Sequence, residues 1–80
     1  MIRMYETELC PDCVAAKKRL REEGIEYEDI DITSSIGKLK EFMALRDSRA
    51  EFDVVKDNKQ VGVPAFIRED GQIVFSVEEL

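Results

Sequence analysis

The run from Ile2 to Ile32 restricts the fold more than any other part of the chain. "IRMYE" is a short β-like segment, and the residues from Pro11 to Glu23 follow a helical pattern. "IEYEDIDI" then alternates apolar and acidic positions as a strand does, with a slip near Asp29. Pro11 suits the first helical turn, where its missing N–H costs nothing, and Gly24 supplies a C-terminal stop. Two strands joined through one helix lie parallel, with a right-handed crossover. Val14, Ala15 and Leu20 are the expected inward residues of that helix.

The remainder completes one small sheet. Ser34 and Ser35 are placed to cap a second helix carrying Ile36, Leu39, Phe42, Met43 and Leu45 on one stripe. Ser48 and Glu51 have capping-box spacing, which predicts a further short helix over "AEFDVVK". "DNKQVG" is turn chemistry. "VPAFIR" and "QIVFS", joined by Asp70-Gly71, predict a β-hairpin, and "SVEEL" leaves room for one capped turn at most. The expected fold class is therefore α/β, ordered β-α-β-α-(short α)-β-β around a mixed four-stranded sheet, with a truncated C-terminal helix. A chain of 80 residues holds one core, so residues 1–80 form a single domain.

Charge and hydropathy exclude several function classes. A formal charge of −6 argues against nucleic acid, whose binding depends on neutralising phosphates. Lys17, Lys18, Arg19 and Arg21 read as a solvated face whose cations complement the C-terminal end of the helix dipole. No apolar run approaches the roughly 20 residues of a membrane span, and "MIRMYE" turns acidic too soon for a signal peptide. A cytoplasmic protein that binds no membrane is the expectation.

Both cysteines lie in "CPDC", at the mouth of the first helix. As a staple they would close a loop too short to stabilise much. A structural zinc site wants four ligands, and this chain has two Cys and no His. A redox couple fits better, because Cys-x-x-Cys beside a βαβ pattern is a dithiol motif. Cys10 falls at the N-cap, where orphan N–H groups and the positive dipole end favour a thiolate. Spacing of i, i+3 brings Cys13 to the same face. Cys10 is then the exposed nucleophile and Cys13 the resolving thiol of dithiol–disulfide exchange. Glu6, Glu8 and Asp12 oppose the dipole, since like charge disfavours a thiolate.

With "CPDC" after a first strand and "VGVPAF" opening the third, the chain resembles the glutaredoxins, within the thioredoxin fold. More narrowly, "RDSRAEFDVVK" followed by "VGVPAF" is similar to the small glutaredoxin-related proteins of anaerobic bacteria. The resemblance implies a cis Val63-Pro64 bond, whose free backbone groups hold the substrate chain like an added strand. It implies substrate contacts at Pro11, Asp12, Val63 and Pro64. It also implies a monomer with no tightly bound cofactor, whose electrons come from glutathione or from a flavoprotein reductase.

The sequence departs from that family where glutathione is held. Thr7 stands where a basic residue is usual, and Asp12 where an aromatic one is. Val74 and Phe75 stand at a glycine pair, with Glu78 at the acid that follows. Weak glutathione binding is expected. Arg46 and Arg49 are the cations placed to reach its glycyl carboxylate, and they read equally well as plain surface charges.

Two function classes result. One is an oxidoreductase that reduces protein or small-molecule disulfides through Cys10 and Cys13. The other is a dimeric metal or iron–sulfur carrier with Cys10 as ligand and glutathione supplying further thiolate.

Overall fold

A computed structural model describes all 80 residues. Strand β1 (Ile2–Glu6) leads into helix α1 (Pro11–Glu22), then β2 (Tyr27–Asp31) and helix α2 (Ile36–Ser48). A 3₁₀ turn (Ala50–Phe52) runs into a short helix α3 (Asp53–Asp57). Strands β3 (Ala65–Ile67) and β4 (Ile73–Val74) follow, and a final 3₁₀ turn (Val77–Glu79) closes the chain. The sheet order is β2-β1-β3-β4. β1 and β2 run parallel from Ile2 opposite Tyr27 to Glu6 opposite Asp31. β1 pairs antiparallel with β3, Met4 facing Phe66, and β3 pairs antiparallel with β4.

Because side chains alternate along a strand, β1 feeds two cores. Tyr5 joins Ile30, Ile32, Phe42, Phe52, Ala65 and Ile73 on the α2 side. Met4 joins Leu20, Phe66, Val74 and Val77 on the α1 side. An aromatic series holds the first core, Phe42 standing 5.7 Å from Tyr5 and edge-on to Phe52 at 5.8 Å. Both faces of the sheet are covered, which explains the slip noted at Asp29. Tyr27 and Asp29 face α1, while Ile30 and Ile32 face α2 with the other parity.

Three local expectations are corrected. Val14 and Ala15 point outward, and the inward row of α1 is Cys13, Ala16, Lys17 and Leu20. The cause is the i, i+3, i+4, i+7 row that begins at buried Cys13, which turns residues 14 and 15 away. On α2 only Phe42 is fully buried and Leu45 partly so, while Ile36 stays 68 % exposed. The row through Ile36, Leu39 and Met43 lies one helical step from the row that meets the sheet. The Ser48–Glu51 capping box does not form either. Ser48 Oγ donates back to the Leu45 carbonyl, and the Glu51 carboxylate is held by Arg49.

The hairpin also differs in detail from a two-residue Asp70-Gly71 link. The Arg68 N–H donates to the Gln72 carbonyl, leaving three residues in the loop, with Gly71 at φ 86°. A three-residue loop needs that left-handed position, which glycine takes without strain.

Gly62 is required for a different reason. It has φ 99°, and a Cβ there would stand 3.1 Å from the Phe52 ring and 3.2 Å from Val55. Gly62→Ala is expected to lose about 1–3 kcal/mol, read as a lower urea midpoint.

Candidate active site

The turn from Thr7 to Cys10 carries the end of β1 into α1. The Cys10 N–H donates to the Thr7 carbonyl at 3.2 Å, and the Leu9 N–H donates to Thr7 Oγ1. Thr7 Oγ1 lies 3.0 Å from Thr33 Oγ1, which locks this turn to the loop after β2. Asp31 braces Thr33 in turn, accepting from its N–H at 2.8 Å and its hydroxyl at 2.6 Å. Those bonds pull the Asp31 carboxyl below its ordinary range.

Cys10 sits at the N-cap of α1 in extended geometry, with Pro11 next in the first turn. Its carbonyl accepts from Val14 N–H at 3.1 Å, leaving its sulfur free of any capping bond. Cys10 is half-buried and Cys13 is fully buried, and both are free thiols. The Val63-Pro64 bond is cis, as expected from the resemblance. The Cys10 thiol makes a weak 3.8 Å contact with the Val63 carbonyl.

Burial pushes the Cys13 thiol up to about 12. The Thr7 N–H pulls the other way, whereas contact with Cys10 and the charge of Glu6 add to the rise. Cys13 is therefore a protonated thiol at neutral pH.

Around Cys10 a groove of 1020 Å³ opens, lined by Asp12, Leu39, Val61, Val63 and Pro64 among others. Thus Cys10, Asp12, Val63 and Pro64 are brought together, while Pro11 is exposed and does not line the groove. Leu9, at the same mouth, is 82 % exposed.

The cations expected to reach a carboxylate are committed elsewhere. Arg46 donates through Nε to the Val61 carbonyl at 2.9 Å and through Nη2 to the Gln60 carbonyl at 2.6 Å. It ties the end of α2 to the loop that precedes the cis bond. Arg49 holds Glu51 and the Gly71 carbonyl at the hairpin turn. Glu78 pairs with Arg19 across the groove rim, Val74 is buried, and Phe75 stacks edge-on to Phe52. The places of the family's glycine platform are therefore filled by packed side chains. Lys59 lines the groove without an ion-pair partner. As for metal, Cys10 and Cys13 are the thiols on offer, and no group of three His, Cys, Asp or Glu side chains is arranged to hold an ion.

Sequence reasoning missed one polar group. Glu6 was a flanking charge and Lys17 part of a solvated face, yet Glu6 is 1 % exposed and Lys17 is folded over it. Glu6 Oε2 stands 3.2 Å from Lys17 Nζ without hydrogen-bond alignment, so it has a charge partner but no bond. The signal was Asp29, an acid where alternation calls for an apolar side chain. Asp29 shares this face, and its nearby carboxyl raises that of Glu6.

Comparison with known proteins places the family and the fold. The glutaredoxin family model matches residues 2–66. The chain belongs to the glutaredoxin family. It is 36% identical over 77 residues to an uncharacterised protein of Haemophilus influenzae, covering 96% of this chain and 90% of that one. A second relative is the uncharacterised glutaredoxin-like 8.6 kDa protein in the rubredoxin operon of Clostridium pasteurianum. It is 30% identical over 74 residues, covering 92% of this chain and 81% of that one. Among solved structures, a point mutant of a thioredoxin-like protein superposes with a TM-score of 0.62 at 23% identity, over 99% of this chain and 92% of that one. The unmutated form of that protein gives 0.60 at 25%, over 99% and 93%. The fold of this glutaredoxin-family chain is thus the thioredoxin fold.

Burial first, and then the neighbouring Asp29 carboxyl, raise the Glu6 carboxyl, Lys17 offsets part of the rise, and the net value is about 7. A carboxyl raised above its ordinary 4.5 binds a proton in the folded state that the unfolded state has released. Stability from this group is thus complete below about pH 4.5 and declines as pH rises to about 7. The loss is of order 3 kcal/mol, from the shift between 4.5 and about 7 at about 1.4 kcal/mol per pKa unit. Asp31, Glu41, Glu51 and Glu78 are shifted downward and act in a lower window, losing their contribution as the medium becomes more acid. Urea unfolding at pH 5 and pH 7.5 is expected to show the wild type weaker at the higher pH. Glu6→Gln should flatten that difference.

Proposed function

We propose that this protein is a thiol–disulfide oxidoreductase that reduces disulfides through a Cys10/Cys13 dithiol. The observation that carries the reading is the pairing of a groove-facing sulfur at a helix N-cap with a buried thiol one turn behind it.

The Cys10 thiolate attacks one sulfur of the substrate disulfide, forming a mixed disulfide and expelling the other sulfur as a thiolate. Cys13, as a thiolate, then attacks Cys10 Sγ, closing the Cys10–Cys13 disulfide and releasing the second substrate thiolate. The substrate gains two electrons and the protein loses two. Two molecules of glutathione, leaving as their disulfide, or a flavoprotein reductase restore the reduced pair.

The groove supports an extended polypeptide or a small disulfide as substrate. Leu9, Leu39 and Val61 offer apolar contacts, and the segment at Val63 is open to strand-like pairing. Asp12 and the engaged Arg46 and Arg49 disfavour anionic glutathione. In this reading the protein works in the cytoplasm as a monomer, without a resident cofactor.

Cys10→Ser is expected to abolish reduction of a test disulfide, and Cys13→Ser to accumulate a mixed disulfide seen by mass spectrometry. Full exchange by Cys10→Ser would reject the assignment. Opening of the oxidised protein by reduced glutathione should rise linearly with concentration and never saturate. A flavoprotein reductase system, tested in parallel, is expected to be faster.

A further inference from the structure

Lys59 stands where a helix stop usually places glycine. The Gln60 N–H donates to the Val55 carbonyl at 2.8 Å and the Lys59 N–H to the Lys56 carbonyl at 3.0 Å. These are the paired bonds that end a helix through one left-handed residue. Lys59 is that residue, at φ 57°, and no other non-glycine residue of the chain has a positive φ. Any side chain there is less favourable than glycine, so the turn itself gains nothing from a lysine.

What the lysine adds is a cation in the Cys10 groove. Of the charged side chains that line the groove, Arg19 and Glu78 hold each other. Asp12 and Lys59 are left unpaired, one of each sign. They stand on different walls, Asp12 in the first turn of α1 and Lys59 on the segment that runs from α3 to Pro64. Those walls meet at the 3.8 Å contact of Cys10 Sγ with the Val63 carbonyl.

We propose that Asp12 and Lys59 select, as substrate, an extended polypeptide with basic residues before its reacting cysteine and acidic residues after it. The proposal rests on the oxidoreductase reading and deepens it by naming the substrate class.

The order follows from the backbone. Val63 lies outside every strand, and no other backbone group uses its N–H or its carbonyl. A residue that exchanges both groups with one partner residue pairs antiparallel. A substrate strand on Val63 therefore runs against the chain direction, and the residues after its cysteine pass Gly62 and Val61 toward Lys59. The residues before its cysteine leave past Pro64 on the α1 wall, where Asp12 stands. A glutamate or aspartate then meets the Lys59 ammonium, and a lysine or arginine meets the Asp12 carboxylate. The free backbone groups hold any extended chain, and the two charges decide which chain is preferred. Both side chains are exposed, so each contact adds a modest preference rather than an absolute filter.

The test uses two peptides of identical composition, each offered as its symmetric disulfide. In one, two lysines precede the cysteine and two glutamates follow it; in the other the order is reversed. Equal net charge means that the overall field of the protein acts on both alike. Cys13→Ser protein traps the mixed disulfide between Cys10 and the peptide, and quenched samples are timed by mass spectrometry. The lysine-first peptide is expected to react about fivefold faster at low salt. At about 1 M salt, where the Debye length is about 3 Å, the ratio should approach one. Taking the ratio cancels the effect of Asp12 on the α1 dipole and on the Cys10 thiolate, which is the same for both peptides.

Lys59→Gly and Asp12→Asn should each lower the ratio about twofold, and the double variant should bring it to about one. Lys59→Gly should also raise the urea midpoint, because glycine takes the left-handed place without strain. A lower midpoint would mean that the lysine serves the fold, and would overturn the inference. So would a preference for the reversed order, or a ratio that survives in the double variant. Equal rates for both peptides in the parent protein remove the inference alone. If neither peptide forms a mixed disulfide with Cys10, the oxidoreductase reading falls and this inference with it.

Discussion

Strand β1 pairs on both edges and packs on both faces, and the placement of every other element follows from that. Its parallel partner β2 fixes where α1 must cross, and its antiparallel partner β3 fixes where the cis bond arrives. Both pairings converge on the C-terminal end of β1, where the chain turns into α1. Cys10 and Val63 are 53 positions apart in sequence and meet only because each follows or precedes a strand that hydrogen-bonds to β1. A slip of one residue in either register would send Met4 and Tyr5 to the wrong cores and separate the thiol from the Val63 carbonyl.

The polarity of the site is set by depth. Cys10 stands at the helix end, where solvent and the orphan N–H groups of α1 meet. Cys13, one turn further in, is wholly enclosed, and the same burial that covers it keeps its proton in place. Glu6 and Lys17 extend that gradient into the α1-side core, where charge is costly unless paired. Helix α1 thus carries Cys10 at its mouth, the neutral Cys13 thiol one turn in, and then Lys17, which covers Glu6 of β1.

Arg46 and Arg19, the arginines beside the groove, are already engaged. Arg46 reaches two backbone carbonyls rather than a ligand, and this bidentate hold, with Gly62 pressed against Phe52, braces the loop before Pro64. Glu78 is neutralised by Arg19, and Phe75 extends the aromatic series of the core. The groove lining mixes aliphatic side chains and charged ones around the Cys10 sulfur.

The sequence alone determined the order of elements, the N-cap place of Cys10 and the family resemblance. Those features depend on neighbours in the chain: Pro11 after Cys10, Ser35 before α2, and glycine where φ is positive. The hairpin was legible for the same reason, though its loop proved one residue longer. Only the tertiary structure decided which side of each helix faced inward, because Val14 and Ala15 satisfy an apolar pattern as well as Cys13 and Ala16 do. It also decided that Arg46 and Arg49 serve the backbone and that Glu6 and Lys17 lie beneath a thiol. Charged side chains carry no local mark of burial; a Lys or Glu reads as solvated until a strand and a helix from distant parts of the chain close over it.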